Sequence, residues 1–193
     1  MKRALLTALL CVATYICAAA EPDSMKSVSA AQAFVTKATQ AGLAEIQMGT
    51  LAQQRSKDPK VKSFAARMVE DHTRVNAELA ALAKRKNLEV PTDLDGEHAT
   101  MVHTTSAKPP SEFDTNYGKH MIEAHDAAVT LFSDASAVGD KDLAAFAKKT
   151  LVTIHQHQQL AAELPTKRPP RAGADPDAGA AGEPPSDPTD RTQ

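Results

Sequence analysis

The chain has 193 residues, 42% hydrophobic and 24% charged, with a formal net charge of −2, which fits one globular domain with tails. Aromatic residues make up only 4% and Trp is absent, which argues against a surface for stacking bases or sugars. The slight negative charge argues against a phosphate-backbone binder, so nucleic acid is not an expected partner.

The first element is a secretory signal over residues 1–20. Lys2 and Arg3 form its positive start, residues 4–16 are a short apolar run, and Ala18-Ala19-Ala20 before Glu21 fits a small-residue cleavage site. The run is too short for a good membrane span, so the mature chain is expected to be exported, periplasmic or secreted, without one. Both cysteines, Cys11 and Cys17, lie inside this signal. The mature chain is therefore expected to carry no disulfide, no thiol nucleophile and no thiolate metal ligand.

A polar lead over 21–28 is followed by Ser29 and Gln32, the spacing of a capping box, which predicts a helix start at Ser29. Its apolar row is Phe34, Ala38, Ala41, Glu45, Met48 and Ala52, with Gly42 and Gly49 beside it for close helix approach. Asp58-Pro59 predicts the next start, with Asp58 as cap and the proline where its missing N–H costs nothing. That helix buries Val61, Ala65, Met68, His72, Val75, Leu79 and Leu82 at alternating spacings of four and three. It fades at Lys84-Arg85-Lys86-Asn87, where cations suit the helix dipole.

Residues 88–110 form the one long connection of the core, with a short helix expected around 97–104. They are long enough for a crossover between parallel helices. After Pro109-Pro110 a third long helix carries Phe113, Tyr117, Met121, His125, Ala128, Phe132 and Ala135, with Gly139 as its expected terminator. Asp140 caps the fourth, which buries Leu143, Ala147, Thr150, Ile154, His157, Ala161 and Leu164 before Pro165. Residues 165–193 are Pro, Gly, Ala, Asp and Thr with almost no large apolar side chain, which predicts a disordered tail. The expected fold is all-α, a four-helix bundle domain over 29–164.

Each apolar row has one polar interruption: Glu45, His72, His125 and His157. At about 1.5 Å rise per residue all four lie near the middle of their helices, so they are expected at one depth inside the bundle. One carboxylate with three imidazoles suits a divalent transition metal such as zinc, iron, manganese or copper. The competing reading is a metal-free Glu–His layer that fixes helix register. Asn76 and Thr153 are the nearby polar residues expected to support the four, whereas Glu70, Asp71 and Asp126 are expected to face solvent. No Gly-rich phosphate loop, nucleophile elbow or HExxH motif is present, and no catalytic residue or reaction can be assigned.

Residues 31–84, 113–132 and 143–161 together resemble the bacterial secreted domain-of-unknown-function family 4142. Glu45, Asp71-His72, Phe113-Asp114 with Tyr117, His125 and His157 fall on that family's pattern, while Val152 stands where it usually has proline. The resemblance implies a ferritin-like bundle with an up-down-down-up course, export, and no established activity. Di-iron proteins of that fold use Glu-x-x-His on two helices; here Val69, Ile122 and Ile154 occupy the position three before each histidine. A single-metal site, or none, is therefore expected rather than a di-iron centre. Three functional readings remain open: metal handling or stress protection, an interaction module of the cell envelope with an unidentified protein partner, and a pH-responsive bundle whose histidines destabilise it when protonated.

Overall fold

A computed structural model describes residues 22–137 and 139–166. The expected signal and nearly all of the expected tail lie outside them. Among the described residues there are five helices and no strand: α1 (Pro22–Arg55), α2 (Pro59–Arg85), α3 (Gly96–Ser106), α4 (Pro110–Ser136) and α5 (Lys141–Ala161). The chain is all-α, and none of these helices is long and apolar enough to cross a membrane.

The helix starts behave as the side chains dictate. Asp58 accepts hydrogen bonds from the backbone N–H groups of Lys60 (2.7 Å) and Val61 (3.3 Å), and Asp140 does the same for Asp142 and Leu143 (both 3.1 Å). The end of α2 is a Schellman motif. Asn87 takes the left-handed conformation (φ 54°), and the N–H groups of Asn87 and Leu88 close on the carbonyls of Lys84 and Ala83.

Two expected boundaries are corrected. α1 begins at Pro22, not Ser29, because nothing in the polar lead breaks a helix and a proline is harmless in the first turn. Gln32 is thus no capping-box partner; its side chain exchanges two 2.9 Å hydrogen bonds with the backbone of Glu89 and pins the chain leaving α2. α4 ends at Ser136 with Ala137 as cap, so Gly139 is not the left-handed terminator expected of it.

Contacts at the helix ends give the course of the chain. Phe34 near the start of α1 meets Phe132 at the end of α4, with ring centroids 5.2 Å apart. Arg55 at the other end of α1 lies over the Phe113 ring of α4 at 4.6 Å, so α1 and α4 are antiparallel. Lys86, just past α2, bonds Asp140 and Asp142 at the start of α5 (both 2.8 Å), so α2 and α5 are antiparallel too. With α1 and α2 joined by a short turn, the long helices run up, down, down, up. The connection over 86–109 is the crossover, and its helix α3 packs on α1 and α4.

The expected apolar rows are the core, nearly residue for residue. They form two clusters. One gathers Phe34, Val35, Val75, Leu79, Phe132, Phe146 and Ile154; the other gathers Met48, Val61, Phe64, Met68, Phe113, Tyr117 and Met121. The four polar interruptions lie between them. Small residues draw the helices in: a Cβ on Gly49 would meet the Ala65 carbonyl and Val69 at 2.9 Å, and one on Gly118 would meet the turn at Leu164 and Pro165.

Candidate metal centre

The helix periods carry Glu45, His72, His125 and His157 to one level, and the structure brings all four together. Glu45, His125 and His157 are buried, and the His72 side chain is 12% exposed. Glu45 Oε2 lies 2.9 Å from His72 Nε2, and Oε1 lies 3.7 Å from His125 Nδ1. The 2.9 Å contact is out of line with the ring N–H, which makes it an ion pair rather than a directed hydrogen bond. The three imidazoles surround one point. Their ring centroids are 5.4 to 6.0 Å apart, and each offers a ligand atom within 4.8 Å of the other two.

Hydrogen bonds on the far side of two rings fix their tautomers. His125 Nδ1–H donates to the Met121 carbonyl at 2.7 Å. His157 Nε2–H donates to Asp71 Oδ2 at 3.0 Å. Both partners can only accept, so in the neutral rings the lone pairs sit on His125 Nε2 and His157 Nδ1. Those two nitrogens, with His72 Nε2, are buried and have no hydrogen-bond partner. Buried polar atoms without partners are rare and costly. Metal-binding histidines commonly have their second nitrogen tied to a carbonyl or carboxylate in this way.

The charges are distributed unevenly. Burial by itself would raise the Glu45 carboxyl, but the charge and close contact of His72, aided by His125 and His157, hold its pKa down at about 2. Burial disfavours the His72 imidazolium, yet the Glu45 carboxylate overcomes it and raises the His72 pKa above the ordinary value. His157 goes the other way. Burial, seconded by the charges of His72 and His125, lowers it to about 4, and Asp71 offsets this only in part. The resting layer is thus a Glu45–His72 ion pair beside a neutral His157.

Asp71 is the residue that sequence reasoning misplaced. It was expected to face solvent, but its side chain is only 23% exposed and holds His157, with Arg74 at 2.8 Å on its outer side. Helical spacing places it off the α1-facing row, correctly; it faces α5 instead, and only knowledge of which helix sits there exposes its role. Asp126 is exposed, as expected, and accepts from Gln158 Nε2 at 2.6 Å across α4 and α5. Asn76 turns away from the imidazoles towards the Thr39 carbonyl (3.4 Å). His155 is exposed, and His98 pairs with its own helix cap, Asp95, at 2.8 Å.

These features define a class: an all-helical bundle domain in which three histidines, His72, His125 and His157, packed beside Glu45, could hold a metal ion. The sequence profile described as "Domain of unknown function (DUF4142)" matches residues 17–164, and the chain belongs to that family. No curated protein matches it. In structure it is similar to a crystallised DUF305 fragment from Deinococcus radiodurans, with a TM-score of 0.60 at 17% identity over 74% of this chain and 95% of that one. That likeness concerns the fold alone.

Proposed function

We propose that this protein is an exported, ferritin-like four-helix bundle that binds one divalent transition metal ion, in metal handling or protection against metal stress. His72, His125 and His157 supply three nitrogens and Glu45 a carboxylate oxygen. The reading is carried by the convergence of the three imidazoles, each offering a ligand atom within 4.8 Å of the other two, with His125 Nε2 and His157 Nδ1 buried and without any partner and His72 Nε2 facing the Glu45 carboxylate. Three imidazoles and a carboxylate suit zinc, iron, manganese or copper. Export is supported by the signal-like residues 1–20, and the ferritin-like assignment by the up-down-down-up course. The test is elemental analysis of protein purified from its own compartment without chelator or histidine tag. Near-stoichiometric metal, lost in His72→Ala and in His157→Ala, is the expected result. Metal-free protein whose added-metal affinity is unchanged in both variants overturns it.

A second reading is favoured by one observation. The Glu45–His72 ion pair already neutralises the buried carboxylate without any ion, so the layer can serve as a polar key that specifies helix register in an interaction module of the cell envelope. This reading expects a melting curve indifferent to chelator, and a protein partner recovered by crosslinking that is lost on altering the surface or the tail.

A further inference from the structure

The polar layer is not sealed. A cavity of about 900 Å³ reaches Glu45, His72 and His157 from the outside. Part of its wall lies between α1 and α4, where Ala41, Ala44 and Ala124 keep the groove open with short side chains. α3 covers that groove. Its last residue, Ser106, accepts a hydrogen bond from Arg55, and Glu45 precedes Arg55 by about as many residues as Gly96 precedes Ser106. At about 1.5 Å per residue the first turn of α3 is therefore at the depth of the polar layer.

The residues at this mouth have the same donor chemistry as the interior. Asp95, Glu97 and His98 come from the start of α3, and His120 and Glu123 from α4. Among the described residues, Lys37 is the one lysine or arginine lining the cavity. The other approach, between α2 and α5, is different. Its Asp71 is paired with Arg74, and nearby Glu78 with Lys149 at 2.8 Å, so its carboxylates already face permanent cations, whereas at the α3 mouth Asp95 and Glu123 have only the imidazoles of His98 (2.8 Å) and His120 (3.8 Å) beside them.

From this asymmetry we infer that the α1–α3–α4 mouth is the admission route for the metal cation: Glu97 and Glu123 attract it, and the alanine-lined groove passes it to the three converging imidazoles. The inference rests on the metal reading above. A cleft lined by one sign of charge raises the arrival rate of the opposite ion without changing the affinity of the site within.

The test is stopped-flow loading of the metal-free mature chain with Co²⁺, read by its visible spectrum, and extraction by a chelator. Glu97→Gln with Glu123→Gln is expected to slow loading about tenfold at low ionic strength and to flatten its salt dependence, with the equilibrium Kd within about twofold of wild type. Ala124→Leu, which fills the groove, is expected to slow loading and extraction together, again at unchanged Kd. Glu78→Gln with Lys149→Gln, which removes a charge pair of the α2–α5 approach, is expected to leave both rates alone. Wild-type loading rates in the Glu97/Glu123 and Ala124 variants, or slowing by the Glu78/Lys149 variant alone, overturn the route while leaving the metal site standing. No cobalt spectrum in the wild-type chain, or one that survives His125→Ala, overturns the metal reading and the route with it.

Discussion

At the scale of single residues, His157 and Asp71 carry the sharpest expectations. Asp71 holds His157 in the tautomer that leaves Nδ1 free, so Asp71→Asn should weaken metal binding by about 10- to 100-fold while the fold survives; competition titration against a chelator of known affinity reads this directly. The metal-free protein should also report its protonation states. With a folded pKa of about 4 against an ordinary 6.5, His157 binds more protons in the unfolded chain between these values. It therefore adds stability as the pH rises from 4 to 6.5. His72 is shifted upward, so its contribution is complete below 6.5 and fades as the pH climbs through its raised folded value. Glu45 contributes above 4.5 and loses that contribution as the pH falls towards about 2. The melting temperature of the metal-free chain should drop between pH 6.5 and pH 4, and His157→Gln should remove much of that drop. A wild-type curve level across this window would contradict a buried neutral His157. Glu45→Ala strips the counter-charge from His72 and should cost about 3–5 kcal/mol, measured by urea unfolding at neutral pH.

At the scale of helices, the apolar rows were legible because a period of 3.6 residues leaves its mark on the sequence whatever the neighbours are. The Asp58 and Asp140 caps were legible too, since the side chain bonds its own helix. The boundary at Pro22 was not, because Ser29 and Gln32 satisfy a capping pattern whose geometry a continuing helix never adopts. Gly49 tests the close approach of α1 and α2. A leucine there meets the Ala65 carbonyl, which belongs to the backbone and cannot swing aside, so Gly49→Leu should destabilise the domain by about 1–3 kcal/mol in denaturant titration. Gly118 is enclosed more tightly still: even the single methyl of Gly118→Ala runs into the Pro165 carbonyl, so the turn after α5 at Leu164 and Pro165 must shift.

At the scale of the whole molecule, the polar layer ties four helices across the junction of two apolar clusters, so an ion bound there is linked to folding as a unit. Metal at 100 times its Kd should stabilise the domain by about 2.7 kcal/mol. For a domain of this size that is a rise in melting temperature of about 5–10 °C, reversed by chelator and absent in His125→Ala. No shift with any of zinc, iron, manganese or copper would leave the ion-paired layer as a structural device. The crossover through α3 belongs to this scale as well. Arg55 binds the carbonyls of Ser106 and Lys108 and stacks over Phe113, which secures α3 and the start of α4 to the end of α1.

The sequence by itself determined the helices, their buried faces and the equal depth of Glu45, His72, His125 and His157, since these follow from local periodicity and rise per residue. Only the tertiary structure decided the crossover, because a long connection can return on either side of a bundle. It alone decided that Asp71 meets His157 and that Asn76 does not support the imidazoles, because facing a neighbour depends on which helix that neighbour is. The opening beside α3 was decided there too: short side chains leave space only where two helices are held apart, and no single helix records that separation.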